Sequence, residues 1–181
     1  EALRRTHRRS SSHSSLPPPT HTHPPPPLPH THTTCFHRHR TIYNLYIFDR
    51  EGVCLYYREW KRTFSTFADQ PDEDRKLVFS TIFAVTNWMA NIGAREPPEG
   101  FQRIDTDAYS MHHFATPTGL HFALNTNPKC PDMHAALRQI YADLYVECAL
   151  RNPLYVKGTP ITCAPFVSGV DALVTALPQF R

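Results

Sequence analysis

Asn44-Leu45-Tyr46-Ile47-Phe48-Asp49-Arg50-Glu51-Gly52-Val53-Cys54-Leu55 decides the reading of this chain. Ile42 to Phe48 is almost continuously apolar or aromatic, which suits a central strand covered on both faces. Asp49-Arg50-Glu51-Gly52 reads as a turn, because Asp bonds its own backbone and Gly supplies a positive φ. Val53 to Trp60 is the returning strand, with Val53, Leu55 and Tyr57 opposite Cys54, Tyr56 and Arg58. Together these segments predict a β-hairpin.

Downstream, Lys61 to Pro71 is a polar connector with an apolar island at Phe64 and Phe67. A helix then begins at Pro71-Asp72. Asp72, Glu73 and Asp74 crowd its first turn, where the helix dipole favours anions. Val78, Ile82, Val85, Met89 and Ile92 step along it at helical spacing. A second apolar row, Leu77, Ala84 and Trp88, runs beside Phe79 and Phe83. A surface helix needs one apolar stripe. This one is apolar around most of its girth, so burial on two sides is expected: by its own sheet and by something else.

Gly93 ends the helix, and Pro97-Pro98-Glu99-Gly100 is a breaker. Three short strands are predicted over 101–107, 108–115 and 120–125. The first is the most polar, which suits an edge position. The last two join through Thr116-Pro117-Thr118-Gly119, a type I turn. A second helix is predicted from Asp132 to Asn152, with Leu137, Ile140, Tyr141, Leu144 and Cys148 on one face. A third is predicted from Ala164 to Leu177, with Phe166, Val170, Leu173, Val174 and Leu177 inward. The expected architecture is α+β, in the order β-β-α-β-β-β-α-α: a five-stranded antiparallel sheet with helices on both faces. The roughly 140 residues from 41 to 181 suffice for one independent domain.

Residues 1–40 are a different polymer. They hold 8 Pro, 8 His, 5 Ser and 6 Arg, with Glu1 as the only acid, and carry +5; the remainder carries −2, from 13 Lys and Arg against 15 Asp and Glu. The basic pI of about 8.7 therefore belongs to the tail and gives no reason to expect nucleic-acid or anionic-lipid binding by the folded part. Pro17-Pro18-Pro19 and Pro24-Pro25-Pro26-Pro27 favour polyproline II, so residues 1–40 are expected to be a disordered tail. His21, His23, His30 and His32 could hold a metal, but an extension foreign to the native protein, which would then start near Thr41, is the simpler expectation. Five cysteines, an odd number with no CxxC pair, fit free thiols in a reducing cytosol. No apolar run approaches the roughly 18 residues of a membrane span.

Catalytic constellations are not evident. There is no P-loop, GxGxxG, GxSxG or HExxH. His112 and His113 are adjacent on a strand, so they point to opposite faces, and strand histidines with one ring exposed are expected. Asp105 and Asp107 could pair on one strand face, but a solvated acidic rim is the simpler reading. Cys163 has no sequence neighbour that would activate it, and Tyr141 with Tyr145 reads as packing. Neither a cofactor nor a metal site is expected.

Residues Asn44 to Trp60 closely resemble the opening of the subunit 1 family of the trafficking protein particle (TRAPP) complex. So do Tyr109 through Asn127, Ile140 through Glu147 with Asn152-Pro153-Leu154, and the ending Leu177-Pro178-Gln179-Phe180. The resemblance spans about 41–181, is loose over 61–71, 91–98 and 163–169, and covers nothing before residue 41. It implies a longin-like (profilin-like) fold and a place in a vesicle-tethering complex of ER-to-Golgi transport. The chain would be a non-catalytic subunit, cytoplasmic and peripheral at the cis-Golgi and endoplasmic reticulum. Its implied partners are other small TRAPP subunits and, through the assembled complex, a Rab GTPase of the Rab1/Ypt1 type whose nucleotide exchange occurs on a composite surface. Longin pairs commonly associate through the first helix and adjacent edge strand, which places Leu77, Thr81, Trp88, Phe101 and Arg103 at or near a subunit interface. The competing readings are another longin-fold trafficking protein, such as a small clathrin-adaptor chain or a SNARE-like regulatory domain, and an enzyme with a site on the sheet surface.

Overall fold

The computed structural model describes residues 41–61, 70–93 and 100–180. The tail, most of the 61–71 connector with its Phe64 and Phe67, and the Pro97-Pro98 breaker lie outside the described residues.

β1 (Ile42–Phe48) takes the interior position that its almost continuous apolar run requires. It lies between β2 (Cys54–Glu59) and β5 (His121–Thr126), with β4 (Ser110–Ala115) and β3 (Arg103–Asp105) beyond. The sheet order is β2-β1-β5-β4-β3, and every pair is antiparallel. Asp49 builds the hairpin turn as expected: Oδ1 accepts the amides of Glu51 (2.9 Å) and Val53 (2.8 Å). Gly52 has φ +87°, and the Phe79 ring occupies the space where its side chain would be. The second turn closes through Thr116, whose carbonyl receives the Gly119 amide (2.9 Å) and whose hydroxyl receives that of Leu120 (3.0 Å).

Helices cover both faces. α1 (Pro71–Asn91) lies over one, where Tyr46, Phe48, Met111, Ala123 and Phe101 meet Ile82. The opposite face, with Leu45, Ile47, Leu55, Phe122 and Leu124, is covered by α2 (His134–Gln139), its continuation Ile140–Leu150 and α3 (Ala164–Ala176). The single-turn 3₁₀ helix Pro178–Phe180 follows. The amide of Ile161 donates to the carbonyl of Leu55 at 2.7 Å and caps the outer edge of β2.

Three expectations are corrected. The edge strand is three residues, not seven, because Thr106 captures Tyr109: its hydroxyl donates to that carbonyl (2.7 Å) and accepts that amide (3.0 Å). This turns the chain and delays β4 to Ser110. Asp107 therefore leaves the strand, so no Asp105–Asp107 strand-face pair forms; Asp105 instead bonds Arg103 (2.7 Å) and the Ser110 hydroxyl (2.5 Å). The second helix starts two residues late and is α-helical only to Gln139. From Ile140 to Leu150 it is a π-helix, and the residues it buries are Ile140, Tyr145 and Ala149, while Tyr141, Leu144 and Cys148 are half-buried.

Candidate subunit interface

Of the 21 residues of α1, only Ile82 is fully buried. Val78, Phe79, Val85 and Met89 complete the sheet-facing stripe and are half-buried. The neighbouring apolar side chains are left about half or more open: Leu77 is 48% exposed, Phe83 61% and Trp88 62%, with Ile92 just past the helix end at 57%. The two-sided apolar pattern is thus used once, against the sheet. Leu77, Thr81, Ala84 and Trp88, at steps of four, three and four, form a continuous line along the helix. The Thr81 hydroxyl donates to the Leu77 carbonyl at 2.9 Å, so it carries no idle donor. These exposed apolar side chains make the outer side of α1 the candidate contact surface.

The five expected interface residues are not brought together equally. Leu77, Thr81 and Trp88 share the outer side of α1. Phe101 is only 5% exposed and stacks on the His113 ring at 4.2 Å between centroids, so it belongs to this chain's core. The Arg103 guanidinium is committed internally, donating to Asp105, the Ser110 hydroxyl, and the carbonyls of Cys130 (3.0 Å) and Pro128 (3.3 Å). Phe83 and Ile92 are the exposed residues not anticipated for this surface. Periodicity placed Ile92 inward, but the helix ends at Asn91. Phe83 follows Phe79 by one turn, and that spacing was the available signal.

The histidine pair also departs from expectation, since neither ring is exposed. His112 faces the α2 layer. Its Nδ1 accepts the Met133 amide (3.3 Å), so its Nε2 carries the proton and donates to the Thr126 hydroxyl (3.0 Å). His113 faces the α1 layer. Its Nδ1–H donates to the Phe101 carbonyl (2.8 Å), and its Nε2 accepts from Nδ1 of His121 (3.1 Å). Burial holds the proton affinity of His113 down, to a pKa of about 4; it also lowers that of His112, with help from the Arg103 cation. Neutral, hydrogen-bonded rings of this kind are structural elements.

Among the described residues, no three or more His, Cys, Asp or Glu side chains cluster to hold a metal. Among the described residues no helix is long and apolar enough to cross a membrane. Cys54, Cys130, Cys148 and Cys163 are free thiols. A cleft of about 430 Å³ opens between the two hairpin turns and the π-helical segment.

The fold and the exposed helix define an α+β domain of the longin-like class. Residues 42–177 match the Sybindin-like family, and the chain belongs to that family. Among its relatives, "Trafficking protein particle complex subunit 1" from Homo sapiens and from Bos taurus are each 34% identical over 140 residues, covering 77% of this chain and 96% of theirs. "Transport protein particle subunit bet5" of Schizosaccharomyces pombe is 32% identical over 156 residues, covering 77% of this chain and 99% of its own. "Trafficking protein particle complex subunit 4" from Bos taurus matches a shorter stretch, 32% over 97 residues, covering 51% of this chain and 42% of its own.

Proposed function

We propose that this chain is a non-catalytic small subunit of a trafficking protein particle complex acting in ER-to-Golgi transport. It would work in the cytoplasm, peripherally at the cis-Golgi and endoplasmic reticulum. The observation that carries this is the similarity to subunit 1 relatives over nearly their whole length. The α1 surface supports it physically: Leu77, Phe83, Trp88 and Ile92 form an apolar face that a lone soluble domain would not need. We assign that face to contact with another longin-like small subunit.

In such a complex the chain adds surface, not chemistry. Nucleotide exchange on a Rab1/Ypt1-type GTPase requires a surface that binds the nucleotide-free GTPase more tightly than the loaded form. Several subunits would build that surface, and this chain would position its neighbours. The test has two arms. Co-expressed with the other small subunits, the chain should co-purify with them in fixed ratio, and omitting it should abolish exchange on the Rab. Recovery as a lone monomer that never joins the particle would overturn the proposal.

A further inference from the structure

The π-helix Ile140–Leu150 continues α2 without a break, and its last bond is explicit: the Arg151 amide reaches the Val146 carbonyl, five residues back, at 3.2 Å. π-Helical runs are rare and mostly single turns, found frequently at functional sites; this one spans eleven residues. Its wider turn decides which side chains meet the sheet. Ile140, Tyr145 and Ala149 are buried, spaced by five and four. An α-helix turns about 100° per residue, and at that period the segment would instead direct Ile140, Tyr141, Leu144 and Cys148 inward. These four are also apolar or aromatic. One sequence therefore carries two alternative core faces, offset by about a residue.

The second face is already partly engaged. Leu144 packs against Gly169 of α3, where a β-carbon would lie 2.6 Å from the leucine methyl. The absence of a side chain at residue 169 leaves Leu144 room beside α3. In the π register Tyr145 of the first face, with Tyr141 and Leu150, lines the cleft, facing Asp49 and Leu55 on the first hairpin and Leu120 on the second. The two registers diverge further with each residue after Ile140, so Tyr145 and Leu150 would swing furthest out of that lining.

We propose that Ile140–Leu150 is a two-register element, exchanging between the π-helix that forms the cleft and an α-helix that dismantles it. Two packings of similar apolar content can lie within a few kcal/mol of each other. Anything that fills the cleft binds only the π register and shifts the population toward it.

The experiment is amide relaxation dispersion on the 181-residue chain, with fluorotyrosine signals for Tyr141 and Tyr145. Exchange on the microsecond-to-millisecond scale is expected from Tyr141 to Arg151 and not in β1 or β5. Leu144→Ala weakens the α face and should lower the minor population about tenfold, while Tyr145→Ala weakens the π face and should raise it by a similar factor. If Tyr145→Ala fails to fold, Ala149→Gly serves in its place. Flat profiles in the parent chain and in every folded variant, or variants that shift the population in the same direction, would overturn the proposal.

Discussion

The Asp171 carboxylate on α3 receives the Arg58 guanidinium of β2 through two parallel bonds, Nε to Oδ1 at 2.9 Å and Nη2 to Oδ2 at 2.7 Å. The indole of Trp60 donates to the same Oδ1 at 3.0 Å. This clamp ties the last helix to an edge strand 113 residues earlier. Both partners are part-exposed, so screening limits its worth. Asp171→Ala should cost about 1–2 kcal/mol, since a bidentate pair and an indole bond go together. Urea denaturation of Asp171→Ala and Arg58→Ala, with the double variant, should give a coupling energy near 1 kcal/mol; strict additivity would show that the clamp contributes nothing.

Gly52 and Gly93 form a matched pair. Both have positive φ, +87° and +69°, but a β-carbon at Gly52 would lie 2.6 Å from the Phe79 ring while one at Gly93 would meet no described residue within 4 Å. Gly93→Ala should cost about 1 kcal/mol, the conformational term alone. Gly52→Ala should cost about 2–4 kcal/mol, because overpacking adds to it. Equal destabilisation in thermal melts would mean that the ring yields freely.

Acid should weaken the fold through its buried imidazoles. In the unfolded chain His113 titrates near 6.5; in the fold its pKa is about 4. Between these values the unfolded state binds more protons, so stability is whole above pH 6.5 and falls as pH drops toward 4. The full loss from His113 is on the order of 3 kcal/mol, and the lowered pKa values of His112 and His121 act in the same direction. In His113→Gln the slope of the urea midpoint between pH 6.5 and 4 should be visibly flatter than in the parent; an unchanged slope would remove His113 as its source.

The exposed face of α1 separates stability from assembly. Trp88→Ser and Leu77→Ser remove apolar surface that this chain leaves about half or more exposed, so each should change its own melting temperature by no more than about 2 °C. In the complex the same changes should cost at least tenfold in affinity for the neighbouring subunit, as loss of an aromatic anchor does. Analytical size exclusion of the mixed subunits reads the second effect; intact assembly with both substitutions would place the interface elsewhere.

Much of this was legible in the chain itself. The absence of a polar face over Ile42–Phe48 required cover on both sides, and β1 has it. The surplus apolar row on α1 reads as needing a second cover; in the structure Trp88 is 62% and Leu77 48% exposed. What failed was local. The edge strand was overlong because Thr106 diverts the backbone by a side-chain bond that periodicity does not encode. Periodicity does not separate the α from the π register of the second helix, because Ile140, Tyr141, Leu144 and Cys148 satisfy the α period as well as Tyr145 and Ala149 satisfy the wider one. Phe101 and Arg103 sit next to the edge, yet one ring is drawn inward by His113 and one guanidinium by two loop carbonyls.

The bond from the Ile161 amide to the Leu55 carbonyl gives the sheet a direction. A foreign strand approaching β2 would have to evict that amide and pass the Arg58–Asp171 clamp, whereas β3 offers three residues with no such plug among the described residues. Growth by strand addition is therefore polarised: this domain can be a terminus on its β2 side and a continuation point only on the other. A building block of that kind joins finite, ordered assemblies and resists running on into a fibre.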